Sequence, residues 1–200
     1  MLNIICPEAS GFASNMYIIE SSGESAVIDP ALPFSSDLVS GDLKYIFITH
    51  AHFDHMLEID SWVAATGASV YVSHADCEAL RDPYRNCYKL FCGSDGGYFG
   101  DVAVMQEGDK FTIGTDTLEV METPGHTPGS LVLYNSDVAF VGDTVFAGGG
   151  YGRWDLPGGS YEMLLGSIKA VMALKESIVL YPGHGQSTTV KEFKSDIHLR

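Results

Sequence analysis

Seven residues of types that commonly bind metal ions fall into three short stretches of the sequence. They are His50, His52, Asp54, His55, His126, Asp143 and His184. The first four belong to one dense run, THAHFDH, and the other three stand beside glycine and proline. Neutral imidazoles and carboxylates suit zinc and other borderline divalent ions, and glycine and proline favour loops that can direct side chains into one cleft. The sequence therefore predicts a metal site.

The spacing within the first run indicates that its residues serve two ions. Residues i and i+2 of an extended segment point to the same side, so His50 and His52 can bind one ion together. His126, on a turn-rich loop, would complete three imidazoles for that ion. Asp54 and His55 follow where the chain turns, and we expect them to face a neighbouring position.

Two further ligands complete the second position and connect it to the first. His184 would join Asp54 and His55, while Asp143 is the expected bridge because a carboxylate can share its two oxygens between two ions. Two ions about 3.5–4 Å apart with a hydroxide between them provide a strong nucleophile at neutral pH. We expect two divalent ions, most simply zinc, with iron and manganese as alternatives.

Two histidines stand outside these stretches. A lone histidine is more often a satisfied structural group or a surface group than a ligand, and we interpret His74 and His198 in this way. His74 follows a predicted strand and is expected to cap the helix after it.

Short strands and helices must position the ligands. Strands are predicted at 2–6, 15–20, 25–29, 45–48, 69–72, 102–105, 110–113, 117–121, 131–134, 138–141 and 177–181. Helices are predicted at 58–66, 76–81, 161–174 and, as a final turn, 190–194. The segment 82–100 is expected to be an irregular excursion near the cleft.

The order of these elements predicts an α/β fold. Two mixed β-rich halves with helices outside indicate a four-layer αββα sandwich, formed by one domain over 1–200, with its cleft along one edge of both sheets. The strand at 45–48 ends just before the first ligand run, at the carboxyl edge where α/β sheets usually place their chemistry.

The composition limits the class of partner. A formal net charge of −15 and the lack of a Lys/Arg cluster disfavour nucleic acid. No stretch approaches the roughly 20 apolar residues that span a bilayer, so no membrane partner is expected. The first residues do not read as a signal peptide, and the four cysteines do not show the spacing of a disulfide framework. A cytoplasmic location is therefore the expectation.

The motifs resemble those of the metallo-β-lactamase superfamily over nearly the whole chain. The stretches TPGHTPGS (123–130), GDTVFA (142–147), a glycine-rich run ending in GR (152–153) and YPGHG (181–185) are similar to the glyoxalase II group, hydrolases of hydroxyacylglutathione thioesters. This resemblance implies the ligand division that the spacing predicts. It is closest to the short, single-domain members, which lack the carboxyl-terminal helical region that helps the long enzymes hold glutathione, so the glutathione site is not carried over.

The resemblance also suggests two substrate contacts. Arg153 occupies the place of a basic substrate-binding residue and is a candidate carboxylate anchor, with a structural ion pair to Asp155 as the alternative. Tyr151, in the same loop, is a weaker candidate.

The predicted activity is metal-dependent hydrolysis of a small-molecule thioester, with a glutathione conjugate as one candidate. Asp54 would both bind metal and orient the nucleophile, which makes it the predicted catalytic residue. Two alternatives stay open: an oxidoreductase resembling mononuclear-iron persulfide dioxygenases, and a non-enzymatic metal-binding module. β-Lactam hydrolysis is disfavoured because the resemblance places Asp143 where those enzymes lack a bridging carboxylate.

Overall fold

The computed structural model describes residues 2–198, and two mixed sheets dominate this part of the chain. The first sheet has the order β1-β2-β3-β4-β5-β6 and contains β1 (Asn3–Ile5), β2 (Tyr17–Ser21), β3 (Glu24–Ile28), β4 (Asp42–Phe47), β5 (Ser69–Ser73) and β6 (Ala103–Met105). Its first three strands pair antiparallel, and β3 to β6 pair parallel.

The second sheet and a small hairpin account for the remaining described strands. The sheet contains β7 (Lys110–Ile113), β8 (Asp116–Glu122), β9 (Leu131–Tyr134), β10 (Val138–Gly142), β13 (Val179–Pro182) and β14 (Thr188–Thr189), and the hairpin contains β11 (Val145–Phe146) and β12 (Gly150–Tyr151). The strand order in the second sheet is β14-β13-β10-β9-β8-β7, and only its β10–β13 pair is parallel.

Helices cover the outer faces of both sheets. Within the described residues the α-helices are α1 (Ile59–Thr66), α2 (Tyr88–Cys92), α3 (Tyr161–Ala173) and α4 (Val190–Asp196). The α3 helix begins where the hydroxyl of Ser160 accepts a hydrogen bond from the Met163 amide, and it buries Leu164, Ile168 and Val171 along one face. No helix in residues 2–198 has the length and apolar character needed to cross a bilayer.

Three apolar clusters bind the layers together. Phe47, Phe111 and Phe140 lie between the two sheets. Trp62 of α1 packs on the outer face of the first sheet, and Phe193 of α4 packs with α3 on the outer face of the second. The predicted four-layer αββα architecture is confirmed.

Several local predictions need correction. The excursion at 82–100 contains the helix α2, which is too short to show a periodic pattern and lies between two residues with left-handed backbone, Cys87 and Gly93. The helix predicted at 76–81 is instead a pair of 3₁₀ turns, His74–Asp76 and Ala79–Arg81. Ser73, not His74, caps the first of these turns, because its hydroxyl accepts a hydrogen bond from the Asp76 amide.

Parallel pairing brings the ends of four strands to one edge of the sandwich. In the first sheet Ile28 of β3 is in register with Phe47 of β4, and both strands end there. In the second sheet Gly142 of β10 is in register with Pro182 of β13. The predicted ligands follow β4, β8, β10 and β13, and β8 runs in the same direction as β10 because both pair antiparallel with β9. The ligand loops of each sheet therefore leave it at one edge.

We predict that replacing Phe140 with alanine lowers the free energy of unfolding by about 3–5 kcal/mol, because it opens a cavity between the sheets. The ring is fully buried and packs against Tyr17 and Tyr181 at centroid distances of 5.4 and 5.3 Å. Urea denaturation of metal-free protein measures the change. The matched control is Phe99→Ala, at a ring that is 71% exposed, with an expected change within about 0.5 kcal/mol. Equal losses in the two variants would contradict the placement of Phe140.

Candidate metal centre

The seven predicted ligands lie on loops at the carboxyl ends of the strands. His50 and His52 follow β4, His52 with extended backbone, and a 3₁₀ turn, Phe53–His55, then directs the next two side chains. The other three ligands, His126, Asp143 and His184, follow β8, β10 and β13.

The ligand atoms form overlapping groups in which every atom lies within 4.8 Å of the others. These groups are His50, His52 and His126; then His50, His55 and Asp143; then Asp54, His55 and His184. The first and third groups coincide with the two positions expected from the sequence.

Asp143 stands between those two positions. Its Oδ1 lies 3.4 Å from Nε2 of His55, while its Oδ2 lies 3.5 Å from Nε2 of His126 and 3.6 Å from Nε2 of His184. Oδ1 therefore faces a ligand of the second position, and Oδ2 faces ligands of both positions, an arrangement that suits a bridging carboxylate.

One buried carboxylate, Asp29, orients two of the imidazoles. Its Oδ2 accepts a hydrogen bond from Nδ1 of His55 at 2.8 Å and another from the Thr49 hydroxyl at 2.7 Å. Because that hydroxyl donates to Asp29, it is free to accept from Nδ1 of His50, which lies 3.1 Å away. Both imidazoles thus hold a proton on Nδ1 and direct the lone pair of Nε2 into the site.

A backbone carbonyl orients a third imidazole. Nδ1 of His126 donates to the carbonyl of Arg153 at 2.7 Å, so Nε2 of His126 carries the lone pair. Nδ1 of His52 lies only 2.9 Å from that Nε2. Two ring nitrogens so close are compatible with a shared proton or a shared cation between them.

The donor set fits divalent metal ions. Buried side-chain atoms without a hydrogen-bond partner among the described residues include Nε2 of His50, His52 and His55 and Oδ1 of Asp143. Such atoms are rare in protein interiors because an unpaired buried polar group is costly. Imidazole nitrogens and a carboxylate oxygen are ligands that zinc and similar ions prefer. Cations would satisfy Nε2 of His50 and His55 and Oδ1 of Asp143, while His52 would bind through Nδ1, the atom beside His126.

Electrostatics in the metal-free centre follow from this crowding. Burial, with the neighbouring histidines, lowers the pKa of His50 well below its usual value and lowers that of His52 to about 3. Burial also disfavours charge on His55, but Asp29, Asp143 and Asp54 outweigh it and raise the His55 pKa well above the usual value. Burial likewise opposes ionisation of Asp143, yet His55 and other histidines hold its pKa far below the ordinary range. The carboxylates thus stabilise positive charge within the cluster.

A second buried carboxylate ties two of the ligand loops together. Asp76 accepts hydrogen bonds from the amide of Ala51 at 2.9 Å, the hydroxyl of Thr127 at 2.8 Å and the amide of Gly129 at 3.0 Å. The residue therefore joins the first ligand run to the loop of His126. Sequence analysis missed the roles of Asp76 and Asp29. The one available signal was the placement of Asp29 at the end of a strand, directly before a proline.

Glycine allows the His184 loop to approach the bridge. A Cβ at Gly183 would collide with Oδ1 of Asp143 and Cε1 of His55, so no larger residue fits there. Asn15 holds the same loop, because its side-chain amide donates to the carbonyls of Pro182 and Gly185, each at 2.9 Å.

Comparison with known proteins identifies the family. The family model described as the metallo-beta-lactamase superfamily matches residues 9–184. The chain belongs to the metallo-beta-lactamase superfamily. The superfamily resemblance predicted from the motifs is thereby confirmed, and the fold is one that binds divalent metal ions.

Three similar proteins each cover nearly the whole chain. Hydroxyacylglutathione hydrolase GloC of Haemophilus influenzae is 29% identical over 203 residues, which is 96% of this chain and 95% of that protein. The structure of the BLEG-1 B3 metallo-beta-lactamase has a TM-score of 0.82 at 29% identity, covering 98% of this chain and 97% of that one. TTHA1623 in a di-iron-bound form also has a TM-score of 0.82, at 26% identity and with 96% and 98% coverage.

A cleft of about 430 Å³ in this chain opens directly onto the ligand cluster. Arg153 lines it, but its Nε and Nη2 each donate to a carboxylate oxygen of Asp155 at 2.7 Å. Its role as a substrate anchor stays a prediction. Tyr151 does not line this cleft, because it belongs to the hairpin strand β12 and packs against the apolar layer around α3, with its ring 6.1 Å from that of Trp154.

We predict that Asp29→Asn weakens zinc binding by about 10- to 100-fold, since the amide would turn an N–H toward one of the donors that the carboxylate now satisfies. Asparagine tolerates the left-handed backbone of this position, where φ is 52°. Competition with a chromophoric chelator measures the affinity, and circular dichroism checks folding. Asp37→Asn, at an exposed turn, is the control and should bind zinc like the unaltered protein. Equal affinities in a folded Asp29→Asn protein would contradict the orienting role of Asp29.

Proposed function

We propose that this metallo-beta-lactamase family member hydrolyses a small-molecule thioester. The observation that carries the proposal is the cluster of seven ligands at the bottom of an open cleft, where Nε2 of His50 and His55 and Oδ1 of Asp143 are buried without a hydrogen-bond partner among the described residues. Similarity to a hydroxyacylglutathione hydrolase over 96% of the chain supports the same reaction class. No nucleic acid or membrane partner is proposed, in keeping with the net charge of −15.

The ligands would hold two ions, with His50, His52 and His126 on one and Asp54, His55 and His184 on the other. Asp143 would contact both. When bound, such ions polarise a carbonyl oxygen and lower the pKa of water, which is the chemistry that ester cleavage needs. Zinc remains the expected metal, and the di-iron form of TTHA1623 supports iron as the alternative.

Asp54 would orient the attacking water. Although burial raises its pKa, His55 and His184 hold the pKa below the usual value, so the carboxylate stays ionised at neutral pH. Its Oδ2 lies 3.1 Å from Nε2 of His184, and the side chain keeps an exposed fraction of 17% at the cleft. An ionised, partly exposed oxygen can accept a hydrogen bond from the nucleophile and align it.

The cleft favours a leaving group that needs no protonation. Outside the ligand cluster, the titratable side chains among its described lining residues are Cys87 and Arg153. Burial, with the charge of Asp54, raises the pKa of Cys87 to about 11, and a guanidinium stays protonated, so neither is an effective acid. Because a thiol has a pKa near 8.5, a thiolate departs without an acid more readily than an amine does. This supports a thioester over an amide.

We predict that protein loaded with zinc, iron or manganese hydrolyses S-lactoylglutathione or a simpler thioester. His52→Ala should reduce kcat/KM by about a hundredfold or more, because it removes a ligand that no neighbour can replace. His74→Ala, at an exposed histidine away from the cleft, is the matched control and should retain activity. Release of thiol, detected with a disulfide reagent, measures the rates. Absence of turnover with all three metals would refute the proposal.

β-Lactam hydrolysis is a second candidate because the BLEG-1 B3 metallo-beta-lactamase resembles the chain over 98% of its length. A chromogenic cephalosporin assayed beside the thioesters distinguishes the two reactions. We expect thioester turnover to exceed cephalosporin turnover by about a hundredfold, since the amine of the lactam needs a proton that the cleft supplies poorly. The reverse order would favour the lactamase.

Elemental analysis separates hydrolysis from the iron-dependent oxidoreductase alternative. We expect about two metal ions per chain in anaerobically purified protein, in line with two ligand groups that each hold three donors. One iron per chain, with oxygen uptake on glutathione persulfide, would favour the oxidoreductase.

A further inference from the structure

An apolar wall lines the cleft beside the ligand cluster. It consists of Phe12, Phe53, Phe91, Phe146 and Leu156, contributed by separate segments of the chain. Buried Phe53 is at its centre, with ring centroids 6.0 Å from Phe12 in an edge contact and 5.9 Å from Phe91 in a stacked one. We call these five residues the aromatic wall. Phe12, Phe53 and Phe91 are in mutual contact through Phe53, and they reach the ligand Asp54, next in sequence to Phe53.

The outer part of the aromatic wall is open to solvent. Phe12 is 63% exposed and Phe91 is 44% exposed. Exposed rings that gather beside a catalytic cleft, unlike scattered surface ones, usually contact a ligand. Phe146 also lines the cleft, with its ring 6.2 Å from that of His184. A molecule that enters the cleft toward the ligand cluster therefore meets aromatic rings.

Cationic groups at the cleft already have partners. Arg153 is the one lysine or arginine among the described lining residues, and Asp155 binds it through both carboxylate oxygens. Lys89, on the same helix as Phe91, donates to Asp95 at 3.0 Å. Glutathione carries two carboxylates that need such cations for specific binding. Among the described residues, the side chains that line the cleft offer these carboxylates no unpaired lysine or arginine.

We infer that the substrate is a thioester whose acyl and thiol groups are apolar and uncharged, with an aromatic or branched acyl group held by the aromatic wall. The inference rests on the proposed thioester hydrolysis and narrows its substrate class. Water adds its oxygen to the carbonyl carbon, the C–S bond breaks with its electron pair on sulfur, and the products are a carboxylate, a thiol and one proton. The released carboxylate is the only charged organic product, and the aromatic wall binds it less well than the neutral ester.

Four thioesters test the inference on metal-loaded protein. Each combines one of two acyl groups, phenylacetyl or lactoyl, with one of two thiols, glutathione or the uncharged N-acetylcysteamine. We expect kcat/KM for phenylacetyl-N-acetylcysteamine to exceed that for lactoylglutathione by about tenfold or more. Phe12→Ala and Phe91→Ala should each reduce the preference for phenylacetyl over lactoyl about tenfold. The matched control, Phe99→Ala, removes an exposed ring outside the cleft and should leave the preference unchanged.

Calorimetric binding of non-cleavable thioethers gives a readout independent of turnover. The phenethyl thioether of N-acetylcysteamine should bind more tightly than that of glutathione, and Phe12→Ala should weaken its binding. If thioesters are cleaved but lactoylglutathione is preferred, or the Phe12 and Phe91 variants keep the acyl preference, the inference fails while the proposed function stands. If no thioester is cleaved, the proposed function fails. Equal binding of the two thioethers would overturn the inference, whether or not any thioester is cleaved.

Discussion

Ligand nitrogens buried without partners are the constraint on which the rest of the structure depends. Removing imidazole nitrogens and a carboxylate oxygen from water without giving them hydrogen bonds is unfavourable unless a cation takes the place of solvent. Nε2 of His50, His52 and His55 and Oδ1 of Asp143 are all in this state. The surrounding fold must therefore hold several mutually repelling groups at one point and keep their lone pairs directed inward.

Two buried carboxylates meet that requirement from the outer side of the cluster. Asp29 fixes the tautomers of His50, through Thr49, and of His55 directly. Asp76 binds the first ligand loop to the loop of His126. Asp29, directly after β3, accepts three hydrogen bonds from the first ligand run, and Asp76 accepts one from that run and two from the loop of His126. The geometry of the metal centre is therefore coupled to the edges of both sheets rather than to any single loop.

The cleft combines this polar ligand cluster, at its bottom, with apolar side walls. The bottom of the cleft presents ionised and neutral side chains of the cluster, whereas Phe12, Phe53 and Phe91 line its side. In the part of the chain that the structure describes, the lysine and arginine beside these rings, Lys89 and Arg153, are paired with carboxylates. In the proposed reaction, the ligand cluster would determine which bond is broken, and the walls would determine which molecules bind close enough to it. Members of one superfamily can therefore share the ligand cluster and act on different substrates, since the fold and the ligand set do not fix the residues of the cleft walls.

The sequence alone was sufficient for the αββα architecture and for the types and order of the clustered histidines and aspartates, because dense histidine runs and strand patterns depend on residue identity over short distances. It also indicated how the ligands divide, since the i and i+2 spacing of His50 and His52 is a local property. Only the tertiary structure decided the roles of Asp29 and Asp76, the pairing of Arg153 with Asp155, the displacement of Tyr151 from the cleft and the gathering of the aromatic wall. These features join residues far apart in the chain, and a contact of that kind leaves no periodic trace in sequence: it exists only once packing of the two sheets has brought the loops together.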